Sequence, residues 1–509
     1  ITILLVLLGV LWSFIHLRRR AASSSPNHQN HDKKLPPSPP SLPIIGNLHM
    51  LGKLPHRSLQ NLAQKYGPIM SMRLGCVPTI VLSSPQAAKL FLKTHDTVFS
   101  SRPKGQVSEY LWYGTQGIGF SEYGPYWRNA RKFCTLELLS VTKIDSLVAM
   151  RREELELSVR SLKEVAEAHE VVDVSDKVAR LIENMTSRML FGRSINDQFD
   201  LKAVVAEVIR LVGAFNLADY VPFLGPLDLQ GLTRGLKATS KAMDKILETI
   251  IDEHVQESNG GHQKHAMDFV DVMLSLMNKS TNTHDQLSYM IDPTKIKAII
   301  LDMITGTVET AATAIDWTLV ELIRHPKVMR KLQEELQSVM GVNGMIEETD
   351  LAKLDYLNMV IKESLRLHPV APLLIPRESM EDITMDGYYI PKKSRIIVNS
   401  WAIGRDPNVW SDNVEEFIPE RFIGSNIDLR GHDFQLLPFG AGRRGCPGQH
   451  LGLINIRSVV AHFMHCFDWE LPNGMPPCEL DMTESFGLSA PRANHLLAVP
   501  KYRLSVKNL

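Results

Sequence analysis

The chain has 509 residues, no formal net charge and 44% hydrophobic residues. That length and composition suffice to bury a large core, and the zero balance gives no electrostatic basis for nucleic-acid binding. The five cysteines, Cys76, Cys134, Cys446, Cys466 and Cys478, form no C-x-x-C pair. An odd, sparse set of this kind argues against a disulfide framework and a structural zinc site, and for a reducing compartment.

From Ile1 to Leu17 the sequence is almost wholly apolar, and Arg18-Arg19-Arg20 follows at once. A helix of that length spans roughly 25 Å, slightly less than a bilayer core. A cleaved signal peptide carries its positive charge before the apolar run, not after it. The reading is therefore a transmembrane signal anchor over residues 1–17, with the following chain kept in the cytosol by the positive-inside rule. The glycosylation sequons at Asn184 and Asn278 are then expected to be silent. Residues 18–46 read as a basic, polar linker ending in a proline-rich hinge that includes Leu35-Pro36-Pro37-Ser38-Pro39-Pro40. Proline at this density fixes φ and favours a stiff spacer, which would set the body of residues 47–509 against the membrane.

Most of the body reads as helix, while short apolar runs such as Thr79–Leu82 and Arg395–Val398 read as strands. The expectation is a single large, mainly α domain with small β-sheets. Trp127 and Arg131 stand one helical turn apart. Further on, Asp292-Pro293 supplies an N-cap and a proline at the first helical position. Ile296, Ile299, Ile300, Met303 and Ile304 follow at helical spacing, and Pro326 stops the pattern after Arg324. Such a helix is about 48 Å long and must cross the molecule. Most of it is core, but its middle is Gly306-Thr307-Val308-Glu309-Thr310-Ala311. A mid-helix glycine costs about 1 kcal/mol against alanine, and an acid in an apolar helix must be desolvated. Local conflicts of this kind mark functional sites.

Glu363 and Arg366 share a helix face, which alone describes many solvated ion pairs. Arg421 follows in Phe417-Ile418-Pro419-Glu420-Arg421-Phe422. Near the C-terminus comes Phe439-Gly440-Ala441-Gly442-Arg443-Arg444-Gly445-Cys446-Pro447-Gly448. Its glycine spacing also fits a dinucleotide fingerprint, with Asp468 about where the acid should stand. Three features oppose that reading. Arg443 and Arg444 crowd a phosphate turn, and Pro447 sits where the helix should begin. Too little chain follows for a doubly wound sheet, and Cys446 is left without a role. A thiolate ligand uses every part of the loop. Arginines and backbone N–H groups keep sulfur ionised, glycines let the backbone approach it, and the helix after Gly448 offers its positive end. Thiolate on haem iron favours O–O cleavage.

With these segments in this order, the chain resembles the cytochrome P-450 superfamily, and the loop is similar to that of the plant microsomal members. The resemblance runs from the apolar N-terminus to the last residues. It implies haem b with iron on Cys446, bound by the loop through Phe439, Gly442, Arg444 and Gly448. It implies propionate contacts from Trp127, Arg131 and Arg377, and a buried structural network of Glu363, Arg366 and Arg421. Glu309 and Thr310 would be the catalytic pair that moves protons during oxygen activation. Thr307 and Ala311 depart from the family's usual segment. The resemblance places Val107, Tyr110, Phe120, Ile304, Val308, Val370, Leu374 and Phe486 around the substrate.

The implied activity is NADPH- and O2-dependent hydroxylation of a small hydrophobic metabolite, a phenylpropanoid-type aromatic or a terpenoid. Electrons would come from a membrane-bound NADPH–cytochrome P-450 reductase at the endoplasmic reticulum, docking near Arg128, Lys132 and Arg443. Two other readings remain open here. One is a haem-thiolate dehydratase or isomerase without oxygen activation, and the other a non-catalytic haem carrier or sensor.

Overall fold

A computed structural model describes residues 34–194, 201–259, 267–279, 292–341, 346–411 and 413–504. The expected anchor, residues 1–17, lies outside them. The elements that frame the site are, in chain order, α1 (Pro55–Tyr66), β1 (Ile69–Leu74), β2 (Val77–Leu82), α2 (Pro125–Phe133), α3 (Val148–Ala168), α4 (Val174–Phe191), α5 (Leu232–Asn259), α6 (Pro293–Arg324), α7 (Pro326–Met340), α8 (Asp355–Leu367), β3 (Arg377–Glu378), β4 (Arg395–Val398) and α9 (Gln449–Cys466). The fold is mainly helical with small sheets, and it forms a single domain.

The two apolar runs are neighbours in one sheet of order β1-β2-β4-β3. β2 and β4 pair in parallel, with Thr79 opposite Arg395 and Leu82 opposite Val398. Ile80, Val81 and Leu82 are all buried, as are all four residues of β4, so both sheet faces are covered and alternation is lost.

The proline segment is bonded to this sheet. Ser71 N donates to Pro37 O over 2.8 Å, and Asn47 bridges Pro40 O and Arg73 N at 3.0 and 2.8 Å. Gly46 turns the chain with φ +58°, where a Cβ would run into Arg73 O.

α6 starts and stops where local chemistry dictates. Asp292 Oδ1 accepts from Lys295 N over 2.9 Å, Pro293 is the first helical residue, and Pro326 opens the next helix. α6 is long and apolar enough to cross a membrane, yet it packs against α4, α8 and α9 inside the domain. It is a core helix.

Candidate active site

The cysteine loop follows no strand and leads into α9, and the sheets are mixed or antiparallel rather than doubly wound. The dinucleotide reading therefore fails on architecture. Phe439 O accepts from Cys446 N over 2.9 Å, closing the loop on itself. Gly442 has φ +67°, and a Cβ there would strike Leu92 O and the Asp96 carboxylate. No other residue type fits that approach. Cys446 lies deep in the protein, but its side chain is open to an internal cavity. Burial pushes its thiol pKa up, and the Gly448 amide and Arg131 guanidinium pull the other way.

That cavity has a volume of about 290 Å³. Phe439, Cys446 and Gly448 form one side. On α6 the wall is made by Asp302, Met303, Thr305, Gly306, Thr307, Thr310, Ala311 and Ala314. The helix is continuous through Thr307 and Ala311. Thr310 Oγ1 donates to Gly306 O over 2.7 Å, which points its hydroxyl back along the helix. Glu309 turns off the wall toward Ser489. Burial raises its carboxyl pKa, and the nearby Ser489 hydroxyl, itself buried, opposes that rise.

Four guanidinium groups stand on the cavity: Arg102, Arg131, Arg377 and Arg444. Arg377 Nη1 reaches Asp96 Oδ1 at 2.8 Å, and Asp96 is the one carboxylate in ion-pair range of the four among the described residues. It is shared with Arg443 at 3.0 Å. The other three lean on carbonyls. Arg131 Nη2 donates to Gly445 O over 2.6 Å, Arg444 Nε to Ser100 O over 2.6 Å, and Arg102 Nη1 to Pro376 O over 2.9 Å. Burial, then the charges of Arg444, Arg377 and Arg131, depress the pKa of Arg102; burial, then Arg377 and Arg131, depress that of Arg444. Such an excess of buried positive charge suits a dianion, and the two carboxylates of a porphyrin have that chemistry. A soft sulfur donor on one side of the cavity completes a donor set that fits haem.

The family model for cytochrome P450 matches residues 36–497. The chain belongs to the cytochrome P450 family. It is 63% identical to cytochrome P450 CYP736A12 of Panax ginseng over 503 residues, covering 99% of each chain. It is 42% identical to costunolide synthase of Cichorium intybus, covering 93% of this chain and 94% of that one. A zebra fish cytochrome P450 solved with abiraterone superposes with a TM-score of 0.73 at 25% identity, covering 88% of this chain and 100% of the other. This P450 is a haem-thiolate monooxygenase.

Several residues singled out in the sequence lie on the P450 cavity: Thr310, Arg131, Arg377, Phe439, Arg444, Cys446 and Gly448, with Phe120, Val370 and Leu374 of the pocket set. Others do not. Gly442 holds the loop's turn behind the wall. Trp127 lies beneath Arg444, ring centroid to guanidinium 4.1 Å, and its Nε1 donates to Ile118 O over 3.0 Å. Five residues of the pocket expectation are not among those lining this cavity. Ile304 is 3% exposed in the core, and Val107, Tyr110 and Val308 pack against that core. Phe486 stacks on His56 at 5.8 Å. Arg102 escaped the sequence reading. Its only signal was an arginine before Pro103, which is common in surface loops.

Behind the cavity Glu363 is fully buried and accepts from Arg366, Arg421 and the Ile418 amide, all at 2.7–2.9 Å.

Proposed function

We propose that this P450 hydroxylates a small hydrophobic specialised metabolite, an aromatic of phenylpropanoid type or a terpenoid, with iron held by Cys446. Haem b, when bound, would supply oxygen activation and the oxidising equivalent. Arg102, Arg131, Arg377 and Arg444 would take its propionates, and the apolar wall would exclude water from substrate. Thr310 would hold a water or hydroxyl, and Glu309, its acid raised by burial, would resupply the proton. The observation that carries the reading is one cavity bounded by Cys446, four arginines and the Thr310 face of α6. The names of two relatives, costunolide synthase and desmethyl-deoxy-podophyllotoxin synthase, support a role in specialised metabolism.

Electrons would come from NADPH through the membrane-bound reductase. Arg128, Lys132 and Arg443 are exposed and would suit an acidic partner. Attachment to the endoplasmic reticulum through residues 1–17 is supported by a second apolar surface. Leu42, Ile44 and Ile45 of the proline segment are exposed, as are Phe223, Leu227 and Leu229. Gly75 N donates to Ile45 O and Cys76 N to Tyr220 O, which brings the two segments together.

A carbon monoxide difference spectrum tests the ligand. The wild-type chain is expected to give the red-shifted thiolate band and Cys446→Ala to lose it. A band retained by the variant refutes the assignment. A substrate screen in microsomes containing reductase, with and without NADPH, tests the reaction. Turnover without NADPH would favour a dehydratase or isomerase.

A further inference from the structure

α6 carries an acid on the cavity wall, Asp302, for which the oxygen-activating segment has no use. It faces the loop 116–121 that precedes α2. Its carboxylate accepts the amides of Ile118 and, over 3.3 Å, Gly119. The loop's glycines make room for it. A Cβ on Gly119 would stand 2.9 Å from Asp302 Oδ1, and one on Gly117 would collide with Oδ2 and the Trp112 ring.

The opposite edge of the same loop is held by the haem-side residues. Ile118 O accepts from Trp127 Nε1 at 3.0 Å and Arg444 Nη1 at 3.3 Å, and Gly119 O accepts from Arg102 Nε at 3.2 Å. Ile118, Gly119 and Phe120 form part of the cavity wall. One short loop is thus stretched between a carboxylate of the long helix and the arginine cluster. A buried carboxylate held by peptide N–H groups is costly, and what it secures here is the loop.

We propose that Asp302 is a positioning residue for substrate: it latches the 116–121 loop to α6 and so fixes the Ile118–Phe120 wall of the pocket relative to the haem side. This rests on the cavity being the haem and substrate space. Asp302 acts through the loop and takes no part in the chemistry.

The test uses the full-length, haem-loaded chain with Asp302→Asn and, from the loop side, Gly119→Ala. Asparagine keeps the shape but offers one acceptor oxygen and confronts the second amide with an N–H. Hydrogen exchange in the peptide 112–121 is expected to quicken roughly tenfold in each variant, as one lost buried hydrogen bond predicts. Two iron ligands then separate pocket shape from haem access: imidazole, too small to need the wall, and 4-phenylimidazole, large enough to reach it. The affinity for 4-phenylimidazole should fall about tenfold while that for imidazole stays unchanged. Unchanged exchange, or an unchanged ratio of the two affinities, overturns the proposal. Failure of both variants to take up haem also overturns it, because Asp302 would then determine folding rather than position. A wild-type chain without the thiolate–carbonyl band would instead overturn the haem reading, leaving the exchange result to judge the latch alone.

Discussion

Arg421 Nε donates to Glu363 Oε1 over 2.7 Å, tying the segment before the cysteine loop to α8. Arg366 grips the same carboxylate with Nε and Nη2 at 2.8 and 2.9 Å, and its Nη1 donates to Gly404 O and Val414 O at 2.7 Å. With Nη2 also donating to Glu416 O over 3.1 Å, all five donors of the buried guanidinium are satisfied, which is the condition for a buried ion pair to be tolerated.

Glu363→Gln strands two guanidinium groups. The expected loss is about 3–5 kcal/mol in urea denaturation, accompanied by poor haem retention. A loss below about 1 kcal/mol would mean that the cluster behaves as an exposed salt bridge.

Arg102→Met removes one member of the arginine cluster while keeping a long apolar stem. If Arg102 takes a propionate as proposed, haem should transfer to apomyoglobin roughly tenfold faster than from the wild type, because one charge-assisted bond would be lost. An unchanged transfer rate would exclude Arg102 from the haem site.

Thr310→Val should keep the thiolate–carbonyl band but lower product formed per NADPH consumed, by about ten- to a hundredfold if the hydroxyl guides a proton. Glu309 gives the matching pH effect. Burial raises its pKa, so a larger fraction is protonated near neutrality, and product yield should fall as pH rises through that raised value. Glu309→Gln should flatten this limb of the pH profile. An identical limb in the variant would assign the titration to another group.

Glu484 anchors the C-terminal loop that brings Leu488 to the cavity. It meets His56 at 2.9 Å and also contacts Arg57 at 2.5 Å. Burial alone would raise its pKa, but the bonds to His56 and the charge of Arg57 win and bring it from 4.5 down to about 2. A depressed acid contributes stability above its unfolded value and loses that contribution as pH falls toward the folded one. The wild type should therefore exceed Glu484→Gln in stability near neutral pH, and the gap should close between 4.5 and about 2. Parallel urea titrations across that range check it, and a constant gap would show that the bond's value does not depend on charge.

The local features were legible because their causes act over a few residues. Asp292, Pro293 and Pro326 fix the ends of α6 through capping and the missing proline N–H. The glycines of the cysteine loop and the apolar runs of β2 and β4 carry their conformations in their own side chains, or in the lack of one. The loop Phe439–Gly448 pointed to Cys446 as the candidate ligand, and because its glycine spacing also fits a dinucleotide fingerprint, the other segments sharpened that reading.

Tertiary structure decided what meets what. Arg102 joins the cluster only because the chain folds Ser100–Pro103 against Arg444 and the Ile375–Pro376 carbonyls. Thr307 faces the cavity and Val308 does not, a difference of one position set by how α6 is rotated against α4 and α9. Asp302 reads in the sequence as one more acid on a core helix, and only its partners Ile118 and Gly119 give it a role. The physical reason is range. Capping and backbone sterics are settled within a turn, whereas helix rotation and the convergence of distant charges are settled by how whole faces pack.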